Sequence, residues 1–128
     1  MFASVTRRLI DSNVESLVRN GLVMLGICGS SPQLAAVRAE IGQLLFGFLH
    51  HESISLAMEA ANSLMDVFGV DGSEACFDTL NGLARLREAL PGLQARLSRS
   101  RPQIARDTAA TFSEIMLNLK RFIKYKSR

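Results

Sequence analysis

The stretch Ser53–Phe68 does most to limit what this chain can become. Its apolar residues fall at Ile54, Ala57, Met58, Ala61, Leu64, Met65 and Phe68. Steps of three, one, three, three, one and three trace one side of an α-helix. The other side carries Ser55, Glu59, Asn62, Ser63 and Asp66. Ser53 is placed to cap the helix start, and Gly69 follows its last apolar residue. The same stripe recurs 40 positions earlier at Val14, Leu17, Val18, Gly21, Met24, Leu25 and Cys28, again ahead of a glycine, Gly29. It recurs 55 positions later at Ala109, Phe112, Ser113, Met116, Leu119, Lys120 and Ile123, where five of seven fit. A helix written three times is the mark of a stacked helical repeat.

Taken in order, the rest of the chain supports that pattern. Phe2, Val5 and Leu9 place the last turns of a helix over Phe2–Ile10, and Asn13 is positioned to cap the next, Val14–Cys28. Gly29-Ser30-Ser31-Pro32 is a boundary: a glycine stop, a serine cap and proline at the first helical position. A helix to about Leu49 then turns Leu34, Val37, Ile41, Leu44, Leu45 and Phe48 inward, with Gly42 and Gly47 allowing a neighbour to come close. His50-His51 turns the corner into the central stretch. The pair spans about 40 residues, the period of HEAT and armadillo repeats. After the turn Asp71-Gly72, Ser73 is expected to cap a helix holding Phe77, Leu80, Leu83 and Leu86. Pro91-Gly92 should kink or break it, with Leu93–Ser100 as a second segment and Arg99–Pro102 as a loop. The last helix runs from about Ile104 to Tyr125, its inner stripe being Ala109, Phe112, Ile115, Met116, Leu119, Phe122 and Ile123. No stretch shows strand alternation. The expected fold is all-α, a short solenoid of armadillo/HEAT-like antiparallel helix pairs with about five to six helices. As one domain, 1–128, it divides into a partial first repeat (1–29), a second (30–69) and a last (70–128) with an insertion and a basic C-terminus.

With 48% hydrophobic and 21% charged residues, the chain has enough apolar material to fold. Leucine, alanine and methionine dominate it, and seven Phe, one Tyr and no Trp make a sheet less favoured than helices. Apolar runs such as Leu22–Leu25 are far short of the ~20 residues a membrane span needs. Arg7-Arg8 is followed by no long apolar run, so a secretory signal is not expected. Cys28 and Cys76, 48 positions apart, fit small core residues of a reducing compartment. Charge is unevenly placed. Residues 1–84 hold four arginines against nine acids, a balance of −5; residues 85–128 hold eleven Lys or Arg against three acids, a balance of +8. An acidic front joined to a basic end suggests a polar partner surface.

Nothing in the sequence forms a catalytic constellation. The two histidines are neighbours at a turn, pointing about 100° apart if helical, and neither they nor the cysteines have metal-ligand spacing. Gly69-Val70-Asp71-Gly72-Ser73 lacks the lysine and preceding strand of a phosphate loop. The chain is therefore expected to be no enzyme and to carry no cofactor or metal. Two surfaces could hold a partner. On the central helix Glu59 and Asp66 could accept hydrogen bonds from a basic segment, and Asn62 could hold an extended backbone. At the C-terminus Lys120, Arg121, Lys124 and Lys126, together with the arginines at 96, 99, 101 and 106, could dock nucleic acid or an acidic segment.

Three segments, Ala61–Gly69 (ANSLMDVFG), Leu86–Leu97 (LREALPGLQARL) and Leu117–Lys126 (LNLKRFIKYK), resemble the C-terminal end of the symportin family, also described as HEAT-repeat-containing protein three. The most specific piece is Asn118-Leu119-Lys120-Arg121-Phe122-Ile123 with Tyr125. The resemblance implies a ribosome-assembly chaperone and import adaptor, moving between cytoplasm and nucleus. Such proteins bind ribosomal proteins of the 5S ribonucleoprotein and carry them with an import receptor. This chain would be the last repeats of such a solenoid. Two alternatives stand beside it: a small basic module that binds RNA or anionic surfaces through residues 96–128, and a purely structural cap on a longer solenoid.

Overall fold

A computed structural model describes residues 14–31 and 36–127. Six α-helices are present among them: α1 (Glu15–Ser30), α2 (Arg38–Phe48), α3 (Ile54–Phe68), α4 (Glu74–Thr79), α5 (Gly82–Ser100) and α6 (Arg106–Lys126), with a 3₁₀ turn at Arg101–Gln103. The expected helix over Phe2–Ile10, the Asn13 cap, the Pro32 start and Leu34 lie outside the described residues. No strand occurs among the described residues, and the all-α packed helix pairs of a short solenoid are what the chain forms.

The central stretch is the hub. α3 packs against α1, α2, α5 and α6, and its cap is the expected one, with Leu56 N–H donating to Ser53 Oγ at 3.3 Å. Its burial is wider than one stripe. Ala57, Met58, Ala61, Leu64 and Phe68 are buried as expected, and so is a second row, Leu56, Ala60, Ser63 and Val67. That row faces α1. Ser63, read from sequence as part of the wet side, is buried, and its hydroxyl donates to the Leu22 carbonyl at 3.0 Å. The small residues of α1 explain the fit: a Cβ at Gly26 would lie 3.0 Å from Ser63 Cβ, and one at Gly29 2.6 Å from Val67 Cγ2. Helix axes this close leave no room for larger side chains, and the serine hydroxyl is satisfied by a carbonyl instead of water. Gly42 does the same for α2, set against Phe68 and Leu80, whereas Gly47 faces open space and brings no helix near.

An aromatic chain runs through the centre. Phe46 stacks on Phe68 (centroids 6.2 Å apart), Phe68 tilts against Phe77 (5.2 Å), and Phe77 meets Phe122 edge-on (6.0 Å). It couples α2, α3, α4 and α6 and substitutes for the missing tryptophans.

The expected helix from Ser73 differs in where it breaks. It stops at Leu80, because Asn81 takes the left-handed conformation (φ 56) that a short amide side chain tolerates. From Gly82 the chain is helical through Pro91 to Ser100, so the expected break at Pro91-Gly92 does not occur. Pro91, Gly92 and Arg87, whose carbonyl loses its amide partner, are all exposed, and water can satisfy the freed group. Arg99–Pro102 is correspondingly helix end and 3₁₀ turn, not loop. Ser73 does not cap α4; it is buried, and its hydroxyl donates to the Val70 carbonyl at 2.6 Å.

Candidate functional site

The polar residues of α3 lie at i, i+3 and i+4 spacing, so Ser55, Glu59 and Asn62 share a flank. The structure closes that flank into a cleft of about 290 Å³. Arg19 of α1 forms one wall, and Thr108, Thr111, Phe112 and Ile115 of α6 form the other. Glu59 is half-buried there and hydrogen-bonded to the Asn62 side chain. Burial pushes its pKa up. The Asn62 bond and the positive charge of Arg19 pull it back, and the negative charge of Asp66 adds to the rise. Asp66 itself is exposed and does not line the cleft; desolvation raises its pKa too. Of the three acidic-face residues expected from sequence, the structure brings Glu59 and Asn62 together and leaves Asp66 on the rim. The four contributions from α6, two hydroxyls, one aromatic ring and one aliphatic side chain about 50 residues away, carry no local signal in the sequence.

A raised carboxyl pKa has a defined consequence for stability. The native state holds the proton better than the unfolded chain, so the contribution of Glu59 is fully present below its ordinary value of 4.5. It is lost as pH rises through the higher folded value. Glu59→Gln keeps an acceptor for Asn62 and removes the charge. In urea unfolding it is expected to match or exceed the parent by a few tenths of a kcal/mol at about pH 7.5, with the difference vanishing near pH 4. A parent that gains on the variant as pH rises would mean that Arg19 outweighs desolvation.

The basic residues separate into pins and free charges. Arg96 is a pin: its Nη2 donates to the carbonyls of His51 and Glu52 (2.9 Å to the latter), tying α5 to the α2–α3 corner. Arg85 donates to Gln43 Oε1 at 2.6 Å and lies 4.4 Å over the Phe46 ring. Arg38, which the sequence did not single out, is buried and donates from Nε to the Gly29 carbonyl at 2.9 Å, a cation on the C-terminal end of α1. Lys126 is half-buried with its ammonium 5.2 and 5.4 Å over the rings of Phe77 and Phe122. Lys120, Arg121 and Lys124 are exposed on α6 with no partner among the described residues. Tyr125 is exposed, at 66%.

Among the described residues no group of three or more His, Cys, Asp or Glu could hold a metal ion, and no helix is long and apolar enough to cross a membrane. Cys28 and Cys76 are free thiols, half-buried against the core. The cleft sets hydrogen-bond donors and acceptors along a groove between packed helices.

A family model described as "SYO1-like, TPR repeats" matches residues 3–128. The chain belongs to the SYO1-like repeat family. SYO1 is symportin 1, so the likeness carried by three segments extends over nearly the whole chain. The SYO1-like repeats are a scaffold family, and this chain is a helical-repeat module of the symportin type. The description names its units TPR repeats where the 40-residue spacing suggested HEAT or armadillo; all three stack antiparallel helix pairs and differ mainly in unit length. Nothing matches among curated proteins, and nothing matches among solved structures.

Proposed function

We propose that this SYO1-like module is the protein-binding end of a ribosomal-protein chaperone and nuclear-import adaptor, and that the α1–α3–α6 cleft holds an extended basic segment of its cargo. The observation that carries this reading is Glu59. A half-buried carboxylate held by one amide hydrogen bond weakens the fold at neutral pH, and a cationic side chain from a partner would offset that cost. Because the Asn62 amide engages Glu59, its carbonyl oxygen is left for a backbone N–H, and Ser55, Thr108 and Thr111 supply further polar groups. The cargo class is the one that the resemblance to symportins implies: ribosomal proteins of the 5S ribonucleoprotein, which are basic, taken with an import receptor from cytoplasm to nucleus. The division into units ending near residues 29 and 69 belongs to the same reading.

The test is retention of a basic ribosomal protein of the 5S particle by the full chain. Glu59→Ala combined with Asp66→Ala is expected to weaken it about tenfold, the loss of one charge-assisted contact. Unchanged retention would remove the acidic cleft from the mechanism. The RNA alternative draws less from the geometry. Lys126 is engaged by aromatic rings, and Tyr125 is the one exposed aromatic beside Lys120, Arg121 and Lys124. Single-strand binding would have that one ring for base stacking and would otherwise rest on exposed charge.

A further inference from the structure

The cleft has a counterpart of opposite sign on the other flank of α6. Arg101 and Arg106 stand at the mouth of a second cavity, about 390 Å³, whose walls are Ile104, Ala109, Ala110 and Ser113. Thr108, Thr111, Phe112 and Ile115 face the Glu59 side, while Arg106, Ala109, Ala110 and Ser113 face this one, so the first turns of α6 divide the two. Arg101 is held in place: its Nη2 donates to Ser113 Oγ at 2.8 Å. Arg106 is exposed, and Ala105, the residue before α6, provides no side-chain cap. Two guanidiniums, a hydroxyl and a recess with small apolar walls form a receptor for a planar anion carried on an aliphatic stem.

We propose that this pocket binds a glutamate or aspartate side chain of an acidic protein segment. The methyl groups of Ala109 and Ala110 and the Ile104 side chain suit methylenes, and Arg101, fixed by Ser113, presents a fork matched to a carboxylate. A nucleic-acid strand is the poorer fit. No aromatic side chain lines the recess, and Tyr125 lies near the far end of α6, roughly 30 Å along a helix of that length. Charge supports the choice: residues 85–128 hold eleven cations against three acids, Glu88, Asp107 and Glu114, all exposed.

The experiment uses the full chain and a fluorescein-labelled, glutamate-rich peptide, followed by anisotropy at about 50 mM salt. Binding by the parent is expected, with a loss of about tenfold or more in Arg101→Ala with Arg106→Ala. Lys120→Ala with Lys124→Ala, farther along the same helix, is expected to change affinity by less than about twofold. Ser113→Ala should give a partial loss, since Ser113 positions Arg101 and leaves its charge intact. Both arginines are exposed, so circular dichroism should find the double variant folded. No binding by the parent, equal losses in the two double variants, or tighter binding of oligouridine of equal charge would each overturn the proposal. The Glu59→Gln variant should bind this peptide like the parent, which separates this pocket from the cargo cleft: either can fail alone.

Discussion

Phe68→Ala is expected to remove about 3–5 kcal/mol of folding stability, a large share of the roughly 5–15 kcal/mol that a domain of this size holds. Phe68 has no exposed surface and joins two helices to its own: it stacks on Phe46 of α2, tilts against Phe77 of α4, and its ring edge lies where Gly42 lets α2 approach. A Cβ at Gly42 would come within 2.8 Å of Phe68 Cζ, so the ring fills its space and its removal leaves a cavity that rigid neighbours close poorly. Phe68→Leu should cost less, about 1–2 kcal/mol, because most of the volume is kept. Midpoints and slopes of urea denaturation measure both. A cost for Phe68→Ala below about 1 kcal/mol would contradict the packing described here.

The second large effect is one of sign. Glycine to alanine inside an exposed helix normally stabilises by up to about 1 kcal/mol. α5 holds two glycines in unlike surroundings. At Gly92 an added Cβ meets nothing, and Gly92→Ala is expected to follow the rule. At Gly82 an added Cβ would overlap the Phe77 ring, itself buried between Phe68 and Phe122. Gly82→Ala is therefore expected to destabilise by about 1–3 kcal/mol, by overpacking. Thermal unfolding of the two variants should move in opposite directions. A rise in both would mean that Phe77 has room to shift.

Much of this architecture is legible in the amino-acid sequence, and the exceptions have physical causes. Most of the stripes of α3 and α6 is read correctly because their apolar spacing is local: Phe112, Ile115, Met116, Leu119 and Ile123 are buried, whereas Ala109, expected on the same stripe, is half-buried in the wall of the basic pocket. The second buried row of α3 escapes the same reading because Ala60 and Ser63 are small and Ser63 is polar. Their burial follows from Gly26 and Gly29 on another helix. The break at Asn81 is weakly signalled, since an asparagine in the left-handed region looks like any polar surface residue. Pro91 is over-read: proline costs a hydrogen bond, but on the exposed side of a helix the cost does not force a break. In the same way Glu59 and Asn62 are paired by their spacing, while the walls that make a cleft of them come from α1 and α6. The basic C-terminal half looked uniform in sequence. Tertiary contacts make Arg96 and Lys126 structural and leave Arg106, Lys120, Arg121 and Lys124 open.

The position of α3 also bears on how this part of the chain comes apart. In a linear solenoid each unit touches only its neighbours, and stability is a sum of local terms, so ends can fray while the middle persists. Here one helix contacts α1, α2, α5 and α6, and the aromatic chain from Phe46 to Phe122 crosses both halves. Losing α3 would strip the buried face from four partners at once. These repeats are therefore bound into a single cooperative block, in which neither the acidic cleft nor the basic pocket can loosen without α6, their shared wall, feeling the change.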